Sequence, residues 1–222
     1  MEETELIIPN KIIKSNRKSI SLIVKNNGEF IVRAPINCKD SEIFKFISRK
    51  HDWIIKKRQE HYDNPFHKIT FTTTEQITIL GKQYNIILVN SSRVKLNENL
   101  IEIPKDKSKD KLISFLRNYA RKYLTERVRL ISCLFNFKYY NITISSAKTN
   151  WGSCSHNNRL HFTYKLIMCP EDIIDYIVLH ELCHTKVKNH SDKFWALVEK
   201  CNPNYKAYDK WLKKNRRIIE VI

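Results

Sequence analysis

A chain of 222 residues that is 42% hydrophobic and 28% charged has the make-up of a folded globular protein. A chain of this size buries roughly 70% of its unfolded surface, so its core needs no disulfide or structural metal, and three glycines and six prolines exclude collagen-like and linker-rich chains. The formal charge of +17, from 40 Lys+Arg against 23 Asp+Glu, attracts anions and leaves nucleic acid, nucleotides and acidic membrane surfaces open as partners.

In chain order, the first ten residues, MEETELIIPN, carry three glutamates and no early basic segment, unlike a secretory signal. Ser19–Lys25 and Glu29–Ala34 alternate apolar and polar residues around Asn26-Asn27-Gly28, which predicts a hairpin. Asp40 or Ser41 caps an expected helix running to about Glu60, with Ile43, Phe46, Ile47, Lys50 and Ile54 near one face. Ile77–Leu80 and Tyr84–Val89 flank Gly81-Lys82-Gln83 as a second hairpin. Arg93–Leu96 and Leu100–Ile103 flank Asn97-Glu98-Asn99 as a third. Pro104 and the polar run Lys105–Asp110 mark the expected boundary between a β-rich region, 1–107, and a mainly helical region, 108–222. The fold class expected is therefore α+β.

A long helix is predicted over about Lys111–Leu134, where Leu112, Phe115, Leu116, Tyr119, Tyr123, Val128 and Ile131 recur at helical spacing. Strands are expected at Asn141–Ser145 and Arg159–Tyr164, with a turn at Trp151-Gly152-Ser153-Cys154. Pro170, Glu171 and Asp172 suit the start of a helix to about Lys186. Ser191 can cap another over Asp192–Cys201, and a short basic helix covers about Tyr205–Asn215. No unbroken apolar run approaches the ~20 residues of a membrane span; Ile86–Val89 is typical of those present. The six cysteines form no C-x-x-C pair, so they are expected as reduced thiols in a cytoplasmic protein.

The helix over 170–186 carries His180-Glu181-Leu182-Cys183-His184, an H-E-x-x-H. Four residues advance a helix by about 400°, which puts both imidazoles on one face, one turn apart. With 8 His and 14 Glu in the chain, independent frequencies give roughly 0.02 chance matches to this motif, so coincidence is a poor explanation. Two such nitrogens can share a zinc ion, and Glu181 can reach a water held by the zinc instead of the zinc itself. A catalytic zinc needs a third protein ligand. His190, in the turn Lys188-Asn189-His190-Ser191, is the expected one, with Glu199 and His161 as the next choices. Cys183 and Cys154 read as packed thiols beside the site.

The run Asp175-Tyr176-Ile177-Val178-Leu179-His180-Glu181-Leu182-Cys183-His184, followed by Asn189-His190-Ser191 and Phe194-Trp195, resembles the YgjP-like metallopeptidase family. Trp151-Gly152-Ser153-Cys154-Ser155 is a second signature. Arg17-Lys18-Ser19, Val32-Arg33-Ala34-Pro35, Trp53-Ile54 and Leu80-Gly81-Lys82-Gln83-Tyr84 extend the likeness through the N-terminal half. The resemblance implies a zincin-like core with one zinc on His180, His184 and His190, Glu181 as base, and kinship with SprT-like and WLM-type zinc proteases, some of which act on DNA-bound proteins. Two departures stand out: Asn150 replaces the usual arginine, and Thr163 the common asparagine. Val187 replaces the glycine of the metzincin motif, which excludes that group.

The function expected is a zinc-dependent hydrolase cleaving protein or peptide bonds through a water activated by Glu181. The alternatives are a metal-dependent nucleotide pyrophosphohydrolase and a non-catalytic zinc protein bound to nucleic acid. The cluster Lys210, Lys213, Lys214, Arg216 and Arg217, with Trp211 interleaved, is the place to seek nucleic acid. Its plainer reading has Trp211 and Leu212 anchoring a helix whose lysines are solvated.

Overall fold

The computed structural model describes residues 7–25, 27–63, 68–72, 75–147 and 149–222. Asn26, expected in the first turn, and the acidic opening residues 1–6 lie outside the described residues. The architecture is mixed, with strands in the N-terminal half and helices dominating the C-terminal half. The chain divides into two compact units, residues 1–67 and 68–222.

In the first unit, β1 (Lys11–Ser15), β2 (Ser21–Val24) and β3 (Phe30–Pro35) form a sheet in the order β1-β3-β2. β2 and β3 are the predicted antiparallel pair, while β1 is an additional strand parallel to β3. Phe30, Val32 and Ala34 alternate inward and share a core with Ile43, Ile47 and Ile54. The single helix expected to Glu60 is two, α1 (Asp40–Arg49) and α2 (His51–Asp63), with Lys50 as the C-cap of the first. An unbroken helix would carry Lys50 on the face of Ile43, Ile47 and Ile54. The break leaves Lys50 exposed while Ile54 stays buried, which avoids burying an unpaired ammonium.

Among the described residues the second unit holds two sheets and four α-helices. The strands β4 (Gln76–Ile79), β5 (Lys82–Val89), β6 (Lys95–Leu96) and β7 (Leu100–Pro104) run in the order β4-β5-β7-β6. The β4–β5 turn is tighter than the sequence suggests: Ile79 pairs with Lys82, and only Leu80 and Gly81 turn, both at positive φ. Gly81 is required there twice over, because a Cβ would also meet the Pro170 Cα at 3.3 Å. Leu80 N–H donates to the Ile167 carbonyl at 2.7 Å. α3 (Ser108–Leu134) follows β7 directly, and its Leu112, Leu116, Ala120, Leu124 and Val128 share one core with Ile86, Ile101 and Ile103 of the sheet. The expected boundary at 107/108 thus falls inside the second unit, because the strands before it and the helices after it have a single hydrophobic core.

The second sheet has the order β8-β10-β9, from β8 (Asn141–Ser145), β9 (Gly152–Cys154) and β10 (Arg159–Thr163). β10 is parallel to β8 and antiparallel to β9. β9 is the segment expected as a turn. Three residues with little intrinsic strand preference become a strand by pairing with β10, and they form the edge of the sheet. A 3-10 turn, Tyr164–Met168, leads to α4 (Glu171–Cys183), which starts one residue after Pro170 and ends three residues short of the expected Lys186. α4 is buried on most of its circumference, as suits a central helix. Arg127 of α3 binds Asp175 of α4 through both carboxylate oxygens, with Nε at 2.7 Å from Oδ1.

α5 (Asp192–Cys201) and α6 (Tyr205–Lys214) complete the unit. Leu212 is buried and Trp211 packs against the core, while Lys213 pairs with Asp209 at 2.6 Å. Those contacts match the anchoring reading of the basic cluster. No helix of the described residues is long and apolar enough to cross a membrane.

Candidate metal centre

α4 presents His180 and His184 one turn apart, and the turn after it returns His190 to them. The His190 Nε2 stands 3.1 Å from the His180 Nε2 and 3.2 Å from the His184 Nε2. The donor atoms of the three residues all lie within 4.8 Å of one another. Neither Glu199 nor His161 belongs to this group. Glu199 is largely exposed on α5, with Lys206 at 3.9 Å, and His161 pairs with Ser153 in the β10–β9 ladder.

The donor chemistry suits zinc. Tetrahedral nitrogens at ~2.0–2.1 Å from an ion stand about 3.3 Å apart, close to the two spacings seen. A nitrogen ligand must also be unprotonated. Burial, helped by His184 and His190, holds the His180 imidazole down to about 3, with Asp209 opposing in part. Burial also lowers His184. The His184 Nδ1 lies 3.0 Å from the Val187 carbonyl. A proton on Nδ1 donates to that carbonyl and leaves the Nε2 lone pair facing the other two rings, a common arrangement behind metal-binding histidines. The rings pack against Phe194 and Trp195 of α5: His184 stacks on Phe194 at 4.3 Å, and Trp195 lies 5.9 Å from His180 and 5.7 Å from His190.

Glu181 lies about 100° further around α4 and is only 6% exposed. Burial raises its carboxyl to about 8. A nearby dication would favour the carboxylate and reverse that shift. The side chain rests against β9, where a Cβ on Gly152 would meet the Glu181 Cγ at 2.8 Å, Oε1 at 3.0 Å and Cδ at 3.2 Å. Glycine is therefore what lets the edge strand approach the carboxyl. The local sequence suggests a turn at Gly152, although an isolated glycine in a strand is itself a sign of close approach. The Val187 carbonyl carries no sequence signal at all.

Gly152→Ala should displace the Glu181 carboxyl and lower hydrolysis about 10–100-fold, since a displacement of about 1 Å can cost that much. Metal content should stay as in the unaltered protein. Full activity in Gly152→Ala would show that the contact has no bearing on the reaction.

The ladder also defines what β9 offers outward. The Thr163 N–H donates to the Trp151 carbonyl at 3.0 Å and the Ser155 N–H to the Arg159 carbonyl at 2.9 Å. By antiparallel alternation, Trp151, Ser153 and Ser155 face β10, while the backbone groups of Gly152 and Cys154 point to the open edge. Asn150 Nδ2 donates to the Gly152 carbonyl at 3.3 Å. Thr163 is buried and donates to the Ala147 carbonyl at 3.1 Å. The two departures thus differ in place: Asn150 touches the edge strand, whereas Thr163 serves the loop behind it.

A helix bearing H-E-x-x-H, with a third imidazole returned to it, has the form of a metallopeptidase catalytic core. The YgjP-like, metallopeptidase domain model matches residues 18–215, and the chain belongs to that family. Two solved structures are similar over 42% of this chain, each with a TM-score of 0.38. The metallopeptidase zymogen abylysin of Pyrococcus abyssi is 22% identical with 95% of its chain covered. The metallopeptidase zymogen jannalysin of Methanocaldococcus jannaschii is 24% identical with 96% covered. A comparison with curated proteins finds no match.

Proposed function

We propose that the protein is a zinc-dependent peptidase in which His180, His184 and His190 hold one zinc ion and Glu181 is the general base. The observation that carries this reading is the convergence of three imidazole nitrogens beside an edge strand that Glu181 touches. A zinc ion bound there would supply Lewis acidity to the scissile carbonyl and to the attacking water. The chain's own groups do the rest. An extended peptide adds to β9 through the outward backbone groups of Gly152 and Cys154, as peptides add to sheet edges elsewhere. That pairing lays the scissile bond alongside Glu181. The carboxylate takes a proton from the attacking water and returns it to the leaving amine. Burial of Glu181, only 6% exposed, limits competition from bulk water for that proton.

An edge strand recognises a peptide backbone and offers nothing specific to a triphosphate, so peptides are the substrate class this reading selects. The six unpaired cysteines suit a reducing compartment, and we place the protein in the cytoplasm on that ground. The test is a parallel assay of purified protein on an unfolded protein substrate and on nucleoside triphosphates. Cleavage of the polypeptide alone is the expected result. Hydrolysis of the triphosphate alone would replace this reading with a nucleotide hydrolase.

A further inference from the structure

His180 is fixed by the helix that carries it, and His184, the C-cap of that helix, is oriented further by the Val187 carbonyl. His190 has neither support. It is exposed and sits in the stretch Lys188–His190. Among the described residues this stretch makes no backbone–backbone hydrogen bond between the Val187 amide, bonded to Cys183, and the Ser191 carbonyl, which caps α5. Yet the His190 Nε2 stands 3.1–3.2 Å from both partner nitrogens. Phe194 at 4.9 Å and Trp195 at 5.7 Å pack against the ring, but the backbone of the turn still needs a hold.

The contacts of Lys188 supply that hold. Its Nζ donates to the Ser155 carbonyl at 2.9 Å and to Asn158 Oδ1 at 2.5 Å, and it lies 3.7 Å from the Cys154 Sγ. These acceptors are well fixed. Asn158 occupies a left-handed conformation that asparagine tolerates, its N–H donates to the Ser155 carbonyl at 3.1 Å, and the Ser155 hydroxyl receives the Arg159 N–H at 3.0 Å. The ammonium therefore joins the turn bearing His190 to the rigid end of the β9–β10 hairpin, whose edge strand lies against Glu181.

We propose, on the reading of the three imidazoles as a metal site, that Lys188 is the positioning residue for His190. It pins the turn to the hairpin and so sets the third nitrogen against the other two. One hydrogen-bonded cation then ties the least supported ligand to the strand on which the peptide would lie. The chemistry needed is a long side chain with several donors, which arginine can supply and methionine cannot.

The experiment is a competitive zinc titration of the full chain against a chromogenic chelator. Lys188→Met should weaken zinc about 10–100-fold, the usual effect of removing a group that orients a metal ligand. Lys188→Arg should recover most of that loss. In a His190→Ala background, Lys188→Met should change the affinity little further, because the two substitutions act through one ligand. Unchanged affinity in Lys188→Met, where His190→Ala does weaken zinc, would overturn the positioning role. An equal loss in the His190→Ala background would also overturn it, since Lys188 would then act on the fold at large. Failure of the metal reading looks different: zinc affinity would be indifferent to His180→Ala and His184→Ala as well.

Discussion

Glu181→Gln should lower peptide hydrolysis by at least ~10²-fold, the low end for losing a general base, while zinc affinity stays close to that of the unaltered protein. The substitution preserves shape and removes the proton-accepting oxygen pair. Glu181 stands apart from the three-imidazole group, so the zinc should not notice its loss. Its carboxyl lies against Gly152 on β9, at the edge where a peptide would pair. A neutral amide in this buried position should also be tolerated by the fold, because burial already favours the uncharged form of the carboxyl. The assay is peptide cleavage with zinc content measured on the same preparation. Near-normal cleavage would remove Glu181 from the mechanism, and loss of zinc would make it a ligand.

His180→Ala and His184→Ala should each take the protein from about one equivalent of zinc to almost none, since a catalytic site has only three protein ligands. Among the described residues no other His, Cys, Asp or Glu joins the group, so no nearby donor stands ready to replace either ring. His190→Ala should weaken zinc less, because the two helical nitrogens keep their spacing without it. Metal analysis after gel filtration reads all three variants. Full zinc retention in both helical variants would remove the ion from this site.

The helical pair was legible in the sequence because 100° per residue makes an i, i+4 spacing a statement about one face. His190 was legible only in part: chain length allows the turn to return, but Lys188 in that turn bonds to Ser155 and Asn158, 33 and 30 residues earlier. β9 could not be read from Trp151-Gly152-Ser153-Cys154, because its strand character comes from β10. β1 was invisible for a related reason. Lys11–Ser15 is short and lysine-flanked, and it is a strand because it runs parallel to β3. The boundary expected at Pro104–Asp110 followed a real loop, yet α3 buries Leu112 and Leu116 in the same core as the strands preceding it. Local polarity marks where a chain turns, whereas shared burial decides which elements form one unit.

On the proposed reading, peptide cleavage requires a zinc ion held by three histidines. The most direct test of that requirement is hydrolysis of an unfolded polypeptide by the same preparation as purified, after chelation, and after zinc is restored. Cleavage should disappear with the metal and return in proportion to bound zinc, reaching its limit near one equivalent. Cleavage that survives complete removal of the metal would contradict the account.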